Sequence, residues 1–150
     1  MPNWCENQVR INGPVDKIYD MAKAMEREEF LQHLVPIEGN NFDRTEKWGT
    51  KWDISDVYME HNVEDGVLEV NFMTAWGPPD ACFNTYLMEN DDVTIENYFY
   101  EPGNAFAGVD GESVELPDSS NSPEWETDGL LQDVDRVFDI RENMRQWEDE

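Results

Sequence analysis

His33 and His61, Cys5 and Cys82, and 35 aspartates and glutamates are the residues of this 150-residue chain from which metal sites, nucleophiles and general acids are ordinarily built. The two histidines stand far apart in no ligand spacing, whereas a zinc site draws on several Cys or His in close pairs. Cys82 falls in an expected helix after the Gly77-Pro78-Pro79 turn, where a small buried thiol is the ordinary occupant. Glu89, Asp91 and Asp92 lack the spacing of an EF-hand. No phosphate loop, dinucleotide fingerprint, nucleophile elbow or zinc-protease motif occurs. No catalytic residue, metal or cofactor is therefore expected, and the chain reads as a non-enzyme.

The carboxylates themselves are the stronger signal. From Trp52 to Asp135 the chain has 21 aspartates and glutamates and no lysine or arginine, while seven of its ten basic residues precede Trp52. The net charge is −25. Self-repulsion on this scale destabilises a compact state, and its field repels nucleic acid and anionic lipid while favouring a basic partner or high salt. The 39% hydrophobic content, with 12% aromatics, excludes a disordered acidic tail. No run approaches the ~18 apolar residues of a membrane span. The N-terminus has neither a basic patch nor an apolar stretch, so no signal peptide is expected. Two cysteines are too few for a disulfide framework, which points to a reducing cytoplasm.

The elements that must position these charges read as an α+β mixture. A strand over Trp4–Ile11 closes at Asn12-Gly13-Pro14, and Val15, Ile18, Tyr19, Ala22 and Met25 recur at helical spacing. Trp52–Glu60 and Val67–Met73 flank a turn at Glu64-Asp65-Gly66, a hairpin signal. A short helix over Asp80–Met88, a strand over Val93–Tyr100 and a strand pair near Ala105–Val109 and Ser113–Leu116 complete a domain spanning 1–116. Residues 117–127, rich in Ser, Pro and Asp, read as a linker. Residues 128–150 read as one amphipathic acidic helix capped by Thr127 or Asp128.

Four segments carry a resemblance: Met1-Pro2-Asn3-Trp4 with Asn7; Trp48-Gly49-Thr50-Lys51-Trp52; Thr74-Ala75-Trp76-Gly77-Pro78-Pro79; and Tyr100-Glu101-Pro102-Gly103 with Phe106-Ala107-Gly108. In that order they resemble the YubB-type family of phage and plasmid proteins over roughly residues 1–116. The resemblance implies a ferredoxin-like antiparallel sheet with helices on one face and a mobile-element setting; it implies no reaction. The extreme acidity and the C-terminal helical extension depart from the family pattern.

On such a sheet Glu60, Glu69 and Glu96 are expected to share the open face with Tyr58, Tyr98 and Tyr100. RNA-binding domains of this shape stack bases on aromatics there, but these carboxylates repel phosphate. On a single terminal helix Asp128, Asp135, Glu142 and Asp149 recur every seven residues, with Asp139 one turn after Asp135. They form one stripe with roughly 10 Å between heptads. The leading expectation is an acidic interaction protein that occupies the nucleic-acid-binding surface of a basic host protein, such as a defence nuclease, as a DNA mimic does. The partner-binding residues are then Asp128, Asp135, Asp139, Glu142, Glu60, Glu69 and Glu96, with no direct contact to nucleic acid or membrane. The alternative is a peptide- or protein-binding module built on Trp48, Trp52 and Trp76 or on the terminal helix, which also leaves a homodimer open. The acidity then serves only solubility or salt adaptation. Tryptophans at strand ends equally serve as core.

Overall fold

Along the first strand, β1 (Trp4–Asn12), Cys5, Asn7, Val9 and Ile11 are buried while Trp4, Glu6, Gln8 and Arg10 face outward. This two-residue period is the pleat of a strand with one face on a core. The computed structural model describes residues 3–38 and 41–148. After β1 come α1 (Val15–Glu26), α2 (Phe30–Leu34), α3 (Asn41–Trp48), β2 (Ser55–Asn62), β3 (Val67–Ala75), α4 (Asp80–Glu89) and β4 (Thr94–Glu101). Two short strands, β5 (Phe106–Val109) and β6 (Glu112–Glu115), precede α5 (Glu124–Thr127), α6 (Gly129–Phe138) and α7 (Ile140–Glu148).

The fold is α+β. All strands join one antiparallel sheet in the order β2-β3-β1-β4-β5-β6. Its first four strands have the ferredoxin-like arrangement, in which β1 and β3 each lead through helix to a strand that is not their neighbour. The β2–β3 hairpin turns at Gly66, whose φ of +73° suits glycine, and Gly13 N donates to Gly66 O at 3.0 Å. One sheet face carries Val9, Ile11, Leu68, Val70 and Phe72, and α1 to α4 cover it with Ile18, Met21, Met25, Phe30, Leu31, Trp48 and Phe83. Within α1, Val15 and Tyr19 instead remain about half exposed.

The C-terminal part differs from the expected linker and single helix. A second core joins Ala107, Tyr100 and Val114 of the sheet's opposite face to Trp125, Leu131, Val134 and Ile140. The helices thus cover both faces, and α5 to α7 occupy the β4–β5–β6 end of the second one. Residues 117–127 are no free spacer. Trp125 is buried and its Nε1 donates to Ser119 O at 3.0 Å. The buried Ser120 bonds Glu148 through both its amide and its hydroxyl, and Ser120 O accepts from Arg141 Nε at 2.7 Å.

The expected helix over 128–150 breaks at Asp139, which sits in the left-handed region at φ 55°, ψ 43°. Asp tolerates that region better than most residues. The break turns Ile140 fully into the core behind Leu131 and Val134, and the burial it gains competes with the hydrogen bonds a continuous helix would keep. Asp135 Oδ1 then accepts from Arg141 N at 2.7 Å, satisfying an open amide at the start of α7.

Candidate interaction face

Because Val9 and Val70 point into the first core, their neighbours along β1 and β3 must point to the second face, and strand pairing lines these neighbours up. Glu60 lies opposite Glu69, Glu69 opposite Arg10, and Arg10 opposite Glu96. Two residue pairs further along, Tyr58, Asn71, Gln8 and Tyr98 are register partners in the same way. Two parallel rows therefore cross four strands. Each spans three strand spacings, or roughly 14 Å. The α5–α7 layer stops short of them, leaving a concavity of about 370 Å³ lined by both rows and closed on one side by Val137 of α6.

The charge in this concavity is unbalanced. Arg10 Nη1 pairs with Glu69 Oε1 at 3.3 Å, with both side chains about half exposed. Glu69 is the one of these three glutamates with such a partner among the described residues. Glu60 accepts a hydrogen bond from the Tyr58 hydroxyl at 3.3 Å, and Tyr58 itself is 63% exposed. Glu6 continues the face beside Tyr100, and burial raises its carboxyl above the ordinary value. Burial also raises the Tyr100 phenol, helped by the Glu6 and Glu101 charges. The three expected sheet glutamates do meet on one solvent-facing surface, and the arrangement suits cationic groups.

The terminal-helix acids do not form the expected stripe. Asp128 caps α6, its Oδ1 accepting from Leu130 N at 3.0 Å and Leu131 N at 3.3 Å. Asp135 caps α7, Asp139 occupies the break, and Glu142 pairs with Arg145 at 3.5 Å. Asp149 lies outside the described residues. A heptad count holds only along an unbroken helix, so the break removes the common face.

The tryptophans separate into two kinds. Trp48 is buried, with its Nε1 donating to Val35 O at 2.9 Å, and belongs to the core. Trp52 is half-buried against Trp4, ring centroids 6.1 Å apart, with Lys51 Nζ 5.0 Å from its ring. Trp76 is 47% exposed.

The conspicuous segments of the sequence converge at one end of the sheet. Trp76 N donates to Asn3 O at 2.7 Å, Asn7 Nδ2 to Thr74 Oγ1 at 2.9 Å, Thr74 Oγ1 to Gly77 O at 2.6 Å, and Thr50 Oγ1 to Ala75 O at 2.7 Å. Buried Glu101 accepts from Asn104 N at 3.0 Å, and buried Asn97 donates to Asn7 Oδ1 at 3.4 Å. Buried polar groups need partners, and these bonds supply most of them, leaving Asn97 Oδ1 and Glu101 Oε1 without one among the described residues. Sequence reading missed this network, although Asn7, Thr74 and Asn97 on otherwise apolar strand faces were its signal.

Burial also decides the thiols. The Cys5 thiol is pushed up to about 12, first by burial and then by the Glu101 charge. Burial, with a smaller contribution from Asp53, pushes Cys82 up as well. Neither offers the thiolate that a nucleophile requires near neutral pH. Among the described residues no group of three or more His, Cys, Asp and Glu is arranged to hold a metal ion. No helix of those residues is long and apolar enough to cross a membrane.

No family model and no curated protein matches the chain. Among solved structures it is similar to a protein api92 from Yersinia pseudotuberculosis, of family-model DUF1281, at a TM-score of 0.41 and 18% identity. That likeness covers 59% of this chain and 34% of the other, so the chain spans about a third of that protein's length.

Proposed function

We propose that this chain is a phage- or plasmid-encoded acidic interaction protein that occupies the nucleic-acid-binding surface of a basic host protein and acts by competition. The mobile-element setting rests on the YubB-type resemblance, and defence nucleases are the foremost target class. The observation that carries the interaction reading is the row Glu60–Glu69–Arg10–Glu96, three carboxylates and one guanidinium on an open sheet face. Its three glutamates lie within a stretch of 84 residues devoid of lysine and arginine. Carboxylates there meet the Lys and Arg side chains that otherwise pair with phosphates. Complementary fields speed such association and make it salt-sensitive, because surface charges are screened beyond ~8 Å at physiological ionic strength.

The test is competition. The protein is titrated against basic DNA- and RNA-binding proteins of a bacterial host, each holding a labelled duplex, at low and at molar salt. Release of the duplex at low salt that fades at high salt supports the reading. Failure to displace nucleic acid from any of them at low salt sinks it.

A second reading, a peptide-binding module at Trp4, Trp52 and Trp76, is favoured by the 39% and 47% exposure of Trp4 and Trp76. Its binding would persist in molar salt and be lost in Trp76→Ala. Salt-sensitive binding that is indifferent to Trp76→Ala excludes it.

A further inference from the structure

The open part of the second face is more than a patch of negative charge, because its two rows repeat a pattern at their ends. On β2, Tyr58 and Glu60 are two residues apart and point the same way. On β4, Glu96 and Tyr98 are again two residues apart on that face. Each end thus presents a carboxylate beside a phenol ring, the combination that holds an ammonium or guanidinium by charge and by cation–π attraction. The middle is different. Glu69 is already paired with Arg10, and beside them stand the uncharged amides of Asn71 and Gln8. The pattern across the face is therefore cation site, a floor of amides and one neutral ion pair, cation site.

We infer that this face docks an extended segment of a basic protein through two Arg or Lys side chains four residues apart, one in each Tyr–Glu subsite. This rests on the interaction reading above and names the part of the partner that the sheet face takes. The spacing follows from geometry. The subsites are three strand spacings, or roughly 14 Å, apart, and an extended chain advances ~3.4 Å per residue. Side chains at i and i+4 share a side of such a chain and span roughly 14 Å. The side chain at i+2 shares that side too and falls midway between Glu69 and Arg10, an ion pair with no net charge, so a third cation in the middle gains little. The concavity of about 370 Å³ between the subsites accommodates side chains, and Val137 supplies an apolar wall on the Tyr98 side. The segment's backbone crosses above Asn71 and Gln8, whose amides can donate to and accept from it.

The experiment uses the full chain and labelled synthetic Gly/Ser peptides carrying two arginines spaced two, four or six residues apart, at low ionic strength. The four-residue spacing is expected to bind tightest, by roughly fivefold, the scale of one exposed cation–ring contact. Adding an arginine midway should change affinity little despite the added charge, and Arg10→Gln, which leaves Glu69 without its partner, should make that third arginine favourable. Tyr58→Ala should lower affinity for the four-spaced peptide severalfold, while Glu46→Gln, on the helix-covered side, should leave it unchanged. Affinity that rises with charge alone, whatever the spacing, overturns the two-site reading and leaves the acidic-competition reading standing. So does a failure of all peptides to bind while a basic protein is still retained. If no basic protein is retained at low salt either, both readings fall.

Discussion

Replacing Glu60 by Gln should make this protein more stable while weakening its grip on a basic partner. Glu60 lies directly opposite Glu69 across the β2–β3 ladder, and like charges facing each other on adjacent strands destabilise by ~0.2–1 kcal/mol. The cation that offsets this, Arg10, pairs with Glu69 at 3.3 Å. At about half exposure that pair contributes ~0–1 kcal/mol, and the substitution leaves it in place. The Tyr58 hydroxyl keeps an acceptor, because the Gln carbonyl oxygen can replace the carboxylate oxygen it now reaches at 3.3 Å. The expected gain is therefore about 0.5 kcal/mol, which for a chain of this size raises Tm by roughly 1–2 °C. Glu69→Gln removes the same repulsion but also the Arg10 pair, so its net effect should be near zero. Thermal melts and urea unfolding of the two single variants and the double variant form a cycle whose coupling should be about 0.5 kcal/mol at low salt and vanish at molar salt. Affinity for a basic partner at low salt should fall in every variant. A lower Tm for Glu60→Gln, or zero coupling in the cycle, refutes the argument, since the carboxylates would not then be sensing one another across the face.

Three further outcomes follow from the same structure. Trp125→Ala should cost ~3–5 kcal/mol in urea unfolding, because it empties the second core and strands Ser119 O; a loss below ~1 kcal/mol would mean that α5–α7 unfold separately from the sheet. Asp128→Ala should cost ~1 kcal/mol while Asp128→Asn, which keeps an acceptor for Leu130 N, costs much less; equal losses would show that charge rather than capping is the role of Asp128. Stability should rise on mild acidification. Burial holds the carboxyls of Glu6, Asp53 and Asp80 above their ordinary values, so the folded state keeps protons that the unfolded chain has lost, and stability falls as pH rises through that window. Asp92 and Glu148, held low by hydrogen bonds from Lys17 and Ser120, contribute stability that is lost only as pH drops below the ordinary carboxylate range. Melts from neutral pH to about pH 5 should therefore show Tm climbing, helped by relief of the net charge of −25. A Tm that declines throughout would contradict the signs of these shifts.

Much of the architecture was legible in the chain because it is local. The alternation in Trp4–Asn12 and Val67–Ala75, the Gly66 turn and the apolar spacing of α1 depend on residues within a few positions of one another. They therefore specify strand, hairpin and helix before any long-range contact forms. The charge asymmetry and the outward placement of Glu60, Glu69 and Glu96 were legible for the same reason. The C-terminal segment was not. Its hydrophobic spacing fits one helix, and only the presence of the β4–β6 surface makes it worth breaking the chain at Asp139 to bury Ile140.

Tertiary structure alone decided which residues share a surface. That Glu60, Glu69, Arg10 and Glu96 form one row depends on strand register among segments up to 86 residues apart. A shift of one residue would send every one of those side chains to the other face. Likewise Asn7, Thr74 and Asn97 look like scattered polar residues along the chain and become partners only when β1, β3 and β4 pair. The amino-acid sequence fixes the sign of the field; strand pairing fixes where its carboxylates stand and how far apart.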